Sequence, residues 1–453
     1  MLGSIGQRGL WVLLIALLGV GPVWAQEIPS EPAPLPQETE LYPPFDDGLP
    51  QQTFDSVELL SLAANNNTEL NALRDSWEIA LATLPQIEGL PDPVLTAQYA
   101  QIPGFANPQF IHRGYVQVGV TQKLNDYGKV PAREAVAELE VKVRHKLYEE
   151  RLNGLFTEIQ KNLVELYNVE SQIQIKRKHQ FMIDHLIRVA NVKYSVGKGA
   201  QPDVVMAQTE RTKFESELSE LWGQRKKILL SLRYLTGSDE LPEGRAPVPD
   251  WPHEVELTKE NLLKTAEQYR PQLWALRAQI EKAEARIRLA ETEDNPDITL
   301  ALMSRWFQYQ PDGLMLTVSV PLPFFNKQRY HSAVVEKERE KEKAQALLEE
   351  AREKIELGLG RQLVEVETAL DQYEITENTL LVQARQLFRG SLKSYETGEY
   401  DFSSLILAQH TLLNIELALV KYRTRSSLAV AEIEGLTGLR MVATYPLPKE
   451  GLN

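Results

Sequence analysis

The chain has 453 residues and a formal net charge of −14, with 63 acidic against 49 basic side chains and no cysteine. So acidic a chain repels nucleic acid phosphates. Without cysteine there is no disulfide framework, no thiolate metal site and no lipidated N-terminal cysteine, so stability must come from packing, for which the length suffices.

In chain order, Arg8 precedes an apolar run from Leu10 to Val20, then Val23-Trp24-Ala25. This is the layout of a cleavable secretory signal over residues 1–25. An uncleaved anchor is the alternative, although the run is shorter than the roughly 20 apolar residues a spanning helix needs. No other stretch reads as a transmembrane helix, so a membrane would be crossed by strands. Residues 26–55 hold many prolines and several acids and read as an extended segment without a core.

Residues 56–237 read as a first structural repeat. From Ser56 to Ile87 the apolar positions recur at helical spacing, and Pro91 and Pro93 close the run. Leu95, Ala97 and Tyr99 then alternate with polar or small residues, as do Val116, Val118 and Val120 after a Pro/Gly/Asn loop, predicting a β-hairpin. Lys129 to Ser195 predicts one helix of roughly 100 Å at 1.5 Å per residue, long enough to be a tubular wall or half of a coiled coil. A turn at Gly197 to Pro202 leads into a helix ending at Gly237, where a glycine cap belongs.

Residues 238–257 read as a linker, and residues 258–438 repeat the grammar, leaving 439–453 as a tail. Asn261 to Glu291 is helical in pattern, with a fresh start at Pro271. Ile298, Leu300 and Leu302 pair through a turn at Gln310-Pro311-Asp312-Gly313 with Leu314, Leu316, Val318 and Val320. A second long helix runs to Tyr395 and a last one to Gly438. Tyr194-x-x-Gly197 and Tyr395-x-x-Gly398 lie 201 residues apart, as do Leu235-Thr236-Gly237 and Leu436-Thr437-Gly438. The chain is a tandem duplication.

Each hairpin has one apolar and one polar or small face, as expected where lipid lies on one side and water on the other. Two short soluble sheets are the bland alternative. Four strands cannot close a useful barrel, and open edges in lipid leave backbone groups unpaired. Sharing among identical copies removes the edges; twelve strands from three chains leave a pore, whereas eight from two would be filled by side chains. The helices are too charged for full burial, as in Glu336-Lys-Glu-Arg-Glu-Lys-Glu-Lys343, which suits a wall wetted on both faces and equally an exposed coiled-coil face.

These marks, with Val318-x-Val320-Pro-Leu-Pro-Phe-Phe-Asn326 at the strand-to-helix junction, resemble the TolC family of outer-membrane efflux proteins over nearly all of the chain after the signal. The resemblance implies a mainly α fold with a small β part: a long helical barrel below a twelve-stranded β-barrel, shared by a homotrimer in the outer membrane. It implies a passive duct fed by a periplasmic adaptor and an inner-membrane pump of the RND type. Carried over by position, the adaptor-contacting tips are Tyr194, Gly197, Lys198 and Asp203, and Tyr395, Gly398, Glu399 and Ser404. Asp203 also reads as a cap for the returning helix.

Where some relatives close the tunnel with aspartates, this sequence has Ser404 and Leu407; Asp203, Glu396, Glu399 and Asp401 remain as a candidate acidic aperture. The default reading of such acids is solvated helix ends. The second tip most resembles the branch paired with heavy-metal pumps. The seven histidines (His112, His145, His179, His185, His253, His331, His410) show no ligand spacing, and Met303 and Met315 read as packing. No nucleophile elbow, phosphate-binding glycine loop or zinc-helix motif occurs, so no catalytic, cofactor or metal residues are assigned. The competing readings are a secreted coiled-coil brace of the envelope and a duct for polypeptide secretion.

Overall fold

A computed structural model describes residues 47–439 apart from 88, 90, 103–112, 125–127, 242, 250–257 and 308–310. The expected signal, the tail and most of both hairpin loops lie outside the described residues. The first repeat comprises α1 (Ser56–Asn66), α2 (Thr68–Ile87), β1 (Val94–Ile102), β2 (Arg113–Leu124), α3 (Lys129–Ser195) and α4 (Gln201–Thr236). The second comprises α5 (Lys259–Tyr269), α6 (Pro271–Thr292), β3 (Ile298–Phe307), β4 (Gly313–Ser319), α7 (Lys327–Ile375), α8 (Leu381–Thr397) and α9 (Phe402–Thr437). A 3₁₀ turn at Pro323–Asn326 precedes α7, and a π turn at Thr376–Leu380 joins α7 to α8.

In each repeat one long helix is faced by two shorter helices set end to end. Leu152, Leu155, Phe156, Ile159 and Leu163 of α3, spaced by three and four residues, form a core with Leu59 and Leu60 of α1, Leu70 of α2 and Leu232 of α4. The second core repeats the plan with Leu348, Ile355 and Leu359 of α7, Leu262 of α5, Leu273 of α6 and Ile433 of α9. By length and composition α9 alone among the described helices qualifies to cross a bilayer. Its apolar face is instead taken up by packing on α7 and α3.

Helix ends meet at the middle of the molecule. The segment expected as one helix from Ser56 to Ile87 breaks at Asn67, which turns extended; its side chain accepts from Leu70 N (3.0 Å) and donates to Leu235 O (2.9 Å). Pro271 starts α6 as expected, because it lacks the N–H that would continue α5. Gly237 (φ 62°) ends α4, and a Cβ there would lie 2.5 Å from the Asn66 carbonyl oxygen, so α4 docks end-on against the α1–α2 break. Across the repeats, Asn153 donates to Gly435 O (2.9 Å), and Glu150 accepts from Arg270 (2.6 Å) and Gln272 N (3.0 Å).

The described parts of the segment expected to lack a core and of the expected linker are packed. Residues 47–55 and 238–249 form a strap: Thr53 bridges Arg245 in parallel, Phe54 N donates to Arg245 O (2.9 Å), and Phe54 and Ala246 enter the first core. Glu170 of α3 holds the strap, accepting from Ala246 N (2.8 Å) and from Arg225 Nε (2.8 Å). Burial pushes the Glu170 carboxyl up, against the lowering by these donors.

All four strands form one antiparallel sheet in the order β1-β2-β3-β4, in which β2 pairs with β3 across the repeats. The four helices adjoining the strands in sequence, α2, α3, α6 and α7, all connect to the sheet at the same end. At the junction, Asp297 receives Lys129 (2.9 Å) on one oxygen and Lys123 (2.9 Å) on the other, tying the end of β2 and start of α3 to the entry of β3. The Lys129 side chain is 5 % exposed, the Lys123 side chain 48 %. Asp297→Asn is therefore expected to lower stability by about 2–3 kcal/mol, since a buried ammonium loses its carboxylate. Lys123→Gln serves as the near-neutral comparison in thermal unfolding, and equal midpoints for the two variants would refute this account.

A shared sheet and paired helical tips

The register places alternate strand residues on one continuous face. Leu95, Ala97 and Tyr99 of β1 stand opposite Val120, Val118 and Val116 of β2; these stand opposite Leu302, Ser304 and Trp306 of β3, and Leu300, Leu302 and Ser304 face Val318, Leu316 and Leu314 of β4. Leu95 is 71 % exposed and Leu314 75 %, and Tyr99, Leu302, Trp306 and Leu316 are also exposed. An apolar surface four strands wide is therefore open on one side. The opposite face carries Thr96, Gln98, Gln117, Gly119, Thr121, Thr299, Ala301, Met303, Arg305, Met315 and Thr317. Met303 and Met315, read as packing residues, are register partners on that face.

β1 and β4 are the two edges of the sheet, and neither has an outer partner among the described residues. They run antiparallel to each other, so β4 of one copy can add to β1 of the next with the same antiparallel pairing. Such addition closes a ring with no free edge.

The helical turns lie at the far ends of α3 and α8. Gly197 (φ 72°) closes the first, its N–H donating to Tyr194 O (3.0 Å), and Lys198 N donates to Lys193 O (2.9 Å). Gly398 (φ 86°) closes the second in the same manner, with Tyr395 O at 3.1 Å and Glu399 N donating to Ser394 O (2.9 Å). Positive φ at both turns is what the paired Tyr-x-x-Gly spacing predicts. The two tips touch: Lys193 donates to the Tyr395 carbonyl and lies 4.2 Å above its ring, and Tyr395 meets Phe402 edge-on at 5.3 Å. Burial raises the Tyr395 hydroxyl pKa, and the charge of Asp203 adds to it.

The tip residues thus divide. Tyr194, Gly197, Lys198, Glu396, Gly398, Glu399 and Asp401 are exposed, whereas Tyr395 is buried as the packing link between the repeats. Asp203 does not cap its helix: the N-cap of α4 is Ala200, without a side-chain bond, and Asp203 stands inside the first turn, where its charge faces the helix dipole. Asp401 is the side-chain cap, on α9, accepting from Ser404 N (3.2 Å) and from the Ser404 hydroxyl, and both bonds hold its carboxyl below the ordinary value. Leu407 is 69 % exposed.

A second buried polar set was not legible in the sequence. His179 of α3 is fully buried; it lies 2.9 Å from Glu416 and 2.9 Å from Gln409, both on α9, and Lys178 donates to Glu416 (3.2 Å). Nearby, His410 lies 3.1 Å from Glu210, which Lys213 also reaches (2.6 Å). These pairs come from positions about two hundred residues apart, so no local spacing announces them. Among the described residues, no three His, Cys, Asp or Glu side chains are grouped to hold a metal.

A family described as Outer membrane efflux protein matches residues 262–439, nearly the whole of the second repeat. The cobalt-zinc-cadmium resistance protein CzcC of Cupriavidus metallidurans is 21 % identical over 398 residues, covering 84 % of this chain and 88 % of CzcC. The outer membrane protein VceC of Vibrio cholerae has a TM-score of 0.71 at 16 % identity, covering 84 % of this chain and 96 % of its own. The outer membrane channel CmeC of Campylobacter jejuni has a TM-score of 0.69 at 14 % identity, covering 90 % and 94 %. The second repeat thus matches the outer membrane efflux protein family, and the chain as a whole shares the fold of VceC and of the channel CmeC.

Proposed function

We propose that the chain is the outer-membrane channel of a tripartite efflux system. Three copies pool their sheets into one twelve-stranded barrel, and the long helices continue it as a tunnel through the periplasm. The observation that carries this reading is the four-stranded sheet with one mainly apolar open face and two edges unpaired among the described residues, set at one end of helices up to roughly 100 Å long. The duct does no chemistry, as befits a chain sharing its fold with the outer membrane channel CmeC, and the free energy for export comes from the pump.

The tips at Tyr194 to Asp203 and Tyr395 to Ser404 dock a periplasmic adaptor, which connects the duct to an inner-membrane pump of the RND type. The acids Asp203, Glu396, Glu399 and Asp401 gather at this end, and threefold repetition makes them an acidic aperture. Support for the docking comes from the rigid glycine turns and the exposure of Lys198 and Glu399 beside them. A photoreactive residue at either position is expected to capture the adaptor. Capture of only neighbouring copies of the same chain would count against docking there.

The cargo is a separate matter, since a passive duct need not bind what it conducts. Likeness to a cobalt-zinc-cadmium resistance protein supports divalent metal cations. In planar bilayers the purified protein is expected to open pores and to run as a heat-modifiable oligomer. A water-soluble monomer without conductance would refute the duct and favour an envelope brace.

A further inference from the structure

The charge of the strands runs opposite to that of the chain. Although acids outnumber bases overall, the four strands contain no aspartate or glutamate; their charged residues are Arg113, Lys123 and Arg305. Lys123 is neutralised by Asp297 at the helical end. Arg305, near the hairpin end of β3, has no carboxylate partner among the described residues. Its Nε and Nη2 donate to Gln117 Oε1 (3.1 and 2.8 Å), and its guanidinium lies 4.5 Å from the Tyr115 ring centre and 5.8 Å from that of Phe307. The nearest acid in sequence, Asp312, accepts from Phe307 N (3.3 Å) in the hairpin turn.

The register puts Arg305 on the face opposite Leu302 and Trp306, the water side if lipid covers the apolar side. Its partner on β4 is Gly313, which sets no side chain beside it. A cation held by an amide and two aromatic faces keeps its full charge, and low-dielectric walls strengthen its field.

We propose that Arg305, repeated by the threefold axis, forms a cationic ring in the barrel lumen that shifts the ion selectivity of the pore toward anions, opposing the acidic aperture at the helical tips. This rests on the duct reading above. A metal-cation cargo would then cross the barrel against an opposing potential, screened by anions that move with it. Neutralising the ring is expected to ease cation passage.

The test is ion selectivity in planar bilayers under a potassium chloride gradient. The chloride-to-potassium permeability ratio is expected to fall about twofold or more in Arg305→Gln and further in Arg305→Glu, and to be retained in Arg305→Lys. Because the chain has no cysteine, Arg305→Cys offers the same measurement on channels already folded. A positively charged thiosulfonate should raise the ratio, and a negatively charged one should lower it. Pores whose ratio ignores the sign of the attached charge would overturn the ring while leaving the duct intact. Absence of pores from the unmodified protein would overturn both.

Discussion

Gly119→Leu is expected to abolish assembly of the heat-modifiable oligomer. Gly119 stands in β2 between Thr96 and Met303, and a Cβ there would lie 2.5 Å from the Leu302 carbonyl oxygen and 2.8 Å from Met303 Cα. Those are backbone atoms of the neighbouring strand, which cannot step aside as a flexible side chain would. Overpacking costs about 1–3 kcal/mol at one site, and threefold assembly applies that cost in every copy. Gly119→Ala should give an intermediate loss. Gly313→Ala, where a Cβ meets nothing within 4 Å among the described residues, should be silent. The yield of oligomer on semi-native gels before and after heating measures the series, and equal yields for all three would show that the strands are not so closely apposed.

Glu416→Ala should have the second large effect, on the helical body. It removes the acceptor shared by buried His179 and by Lys178, whose side chain is 16 % exposed. Removing one partner of a buried pair typically costs about 3–5 kcal/mol, whereas replacing both partners by apolar residues is often near neutral. The double variant His179→Leu with Glu416→Leu should therefore recover much of the loss. If both variants unfold at the same midpoint, the network is not what joins α3 to α9.

The same pair has a pH dependence whose sign follows from its geometry. Burial would raise the Glu416 carboxyl, but His179 and Lys178 together hold it below its ordinary value of 4.5. A carboxyl lowered by folding contributes stability that is present above its unfolded value and lost as pH falls through the folded one. The difference in stability between the native chain and Glu416→Gln should therefore shrink below pH 4.5. Glu150 and Glu170 act in the other sense: burial raises both, so their protonation favours the folded state as the medium becomes acidic.

Much of this architecture is readable before any coordinates. The bounds of α3 follow from an unbroken helical pattern between Gly128 and Gly197, and the strands follow from strict alternation. Duplication exposes the tips, because one Tyr-x-x-Gly means little and two at the same phase mean much. What escaped depends on contacts distant in sequence. The break at Asn67 arises because its side chain serves α2 and α4 together. The strap reads as linker because Ala246 and Phe54 find their apolar surroundings only on the assembled helices. The π turn at Thr376–Leu380 leaves no composition signal, and Asp203 looks like a cap until Ala200 proves to occupy that position. His179 and Glu416 pair across the duplication, where no local pattern reaches.

The exposed rims of the sheet have a kinetic consequence. In the proposed duct a lone chain carries one sheet whose two outer strands find partners only on other copies, so the membrane-crossing part cannot reach its stable form by itself. Its formation is then a high-order event in chain concentration. Below a threshold of supply, newly exported chains would wait with sticky margins open to proteolysis or mispairing. Above it, finished pores would accumulate steeply, so a modest change in expression is converted into a large change in the permeability of the cell surface.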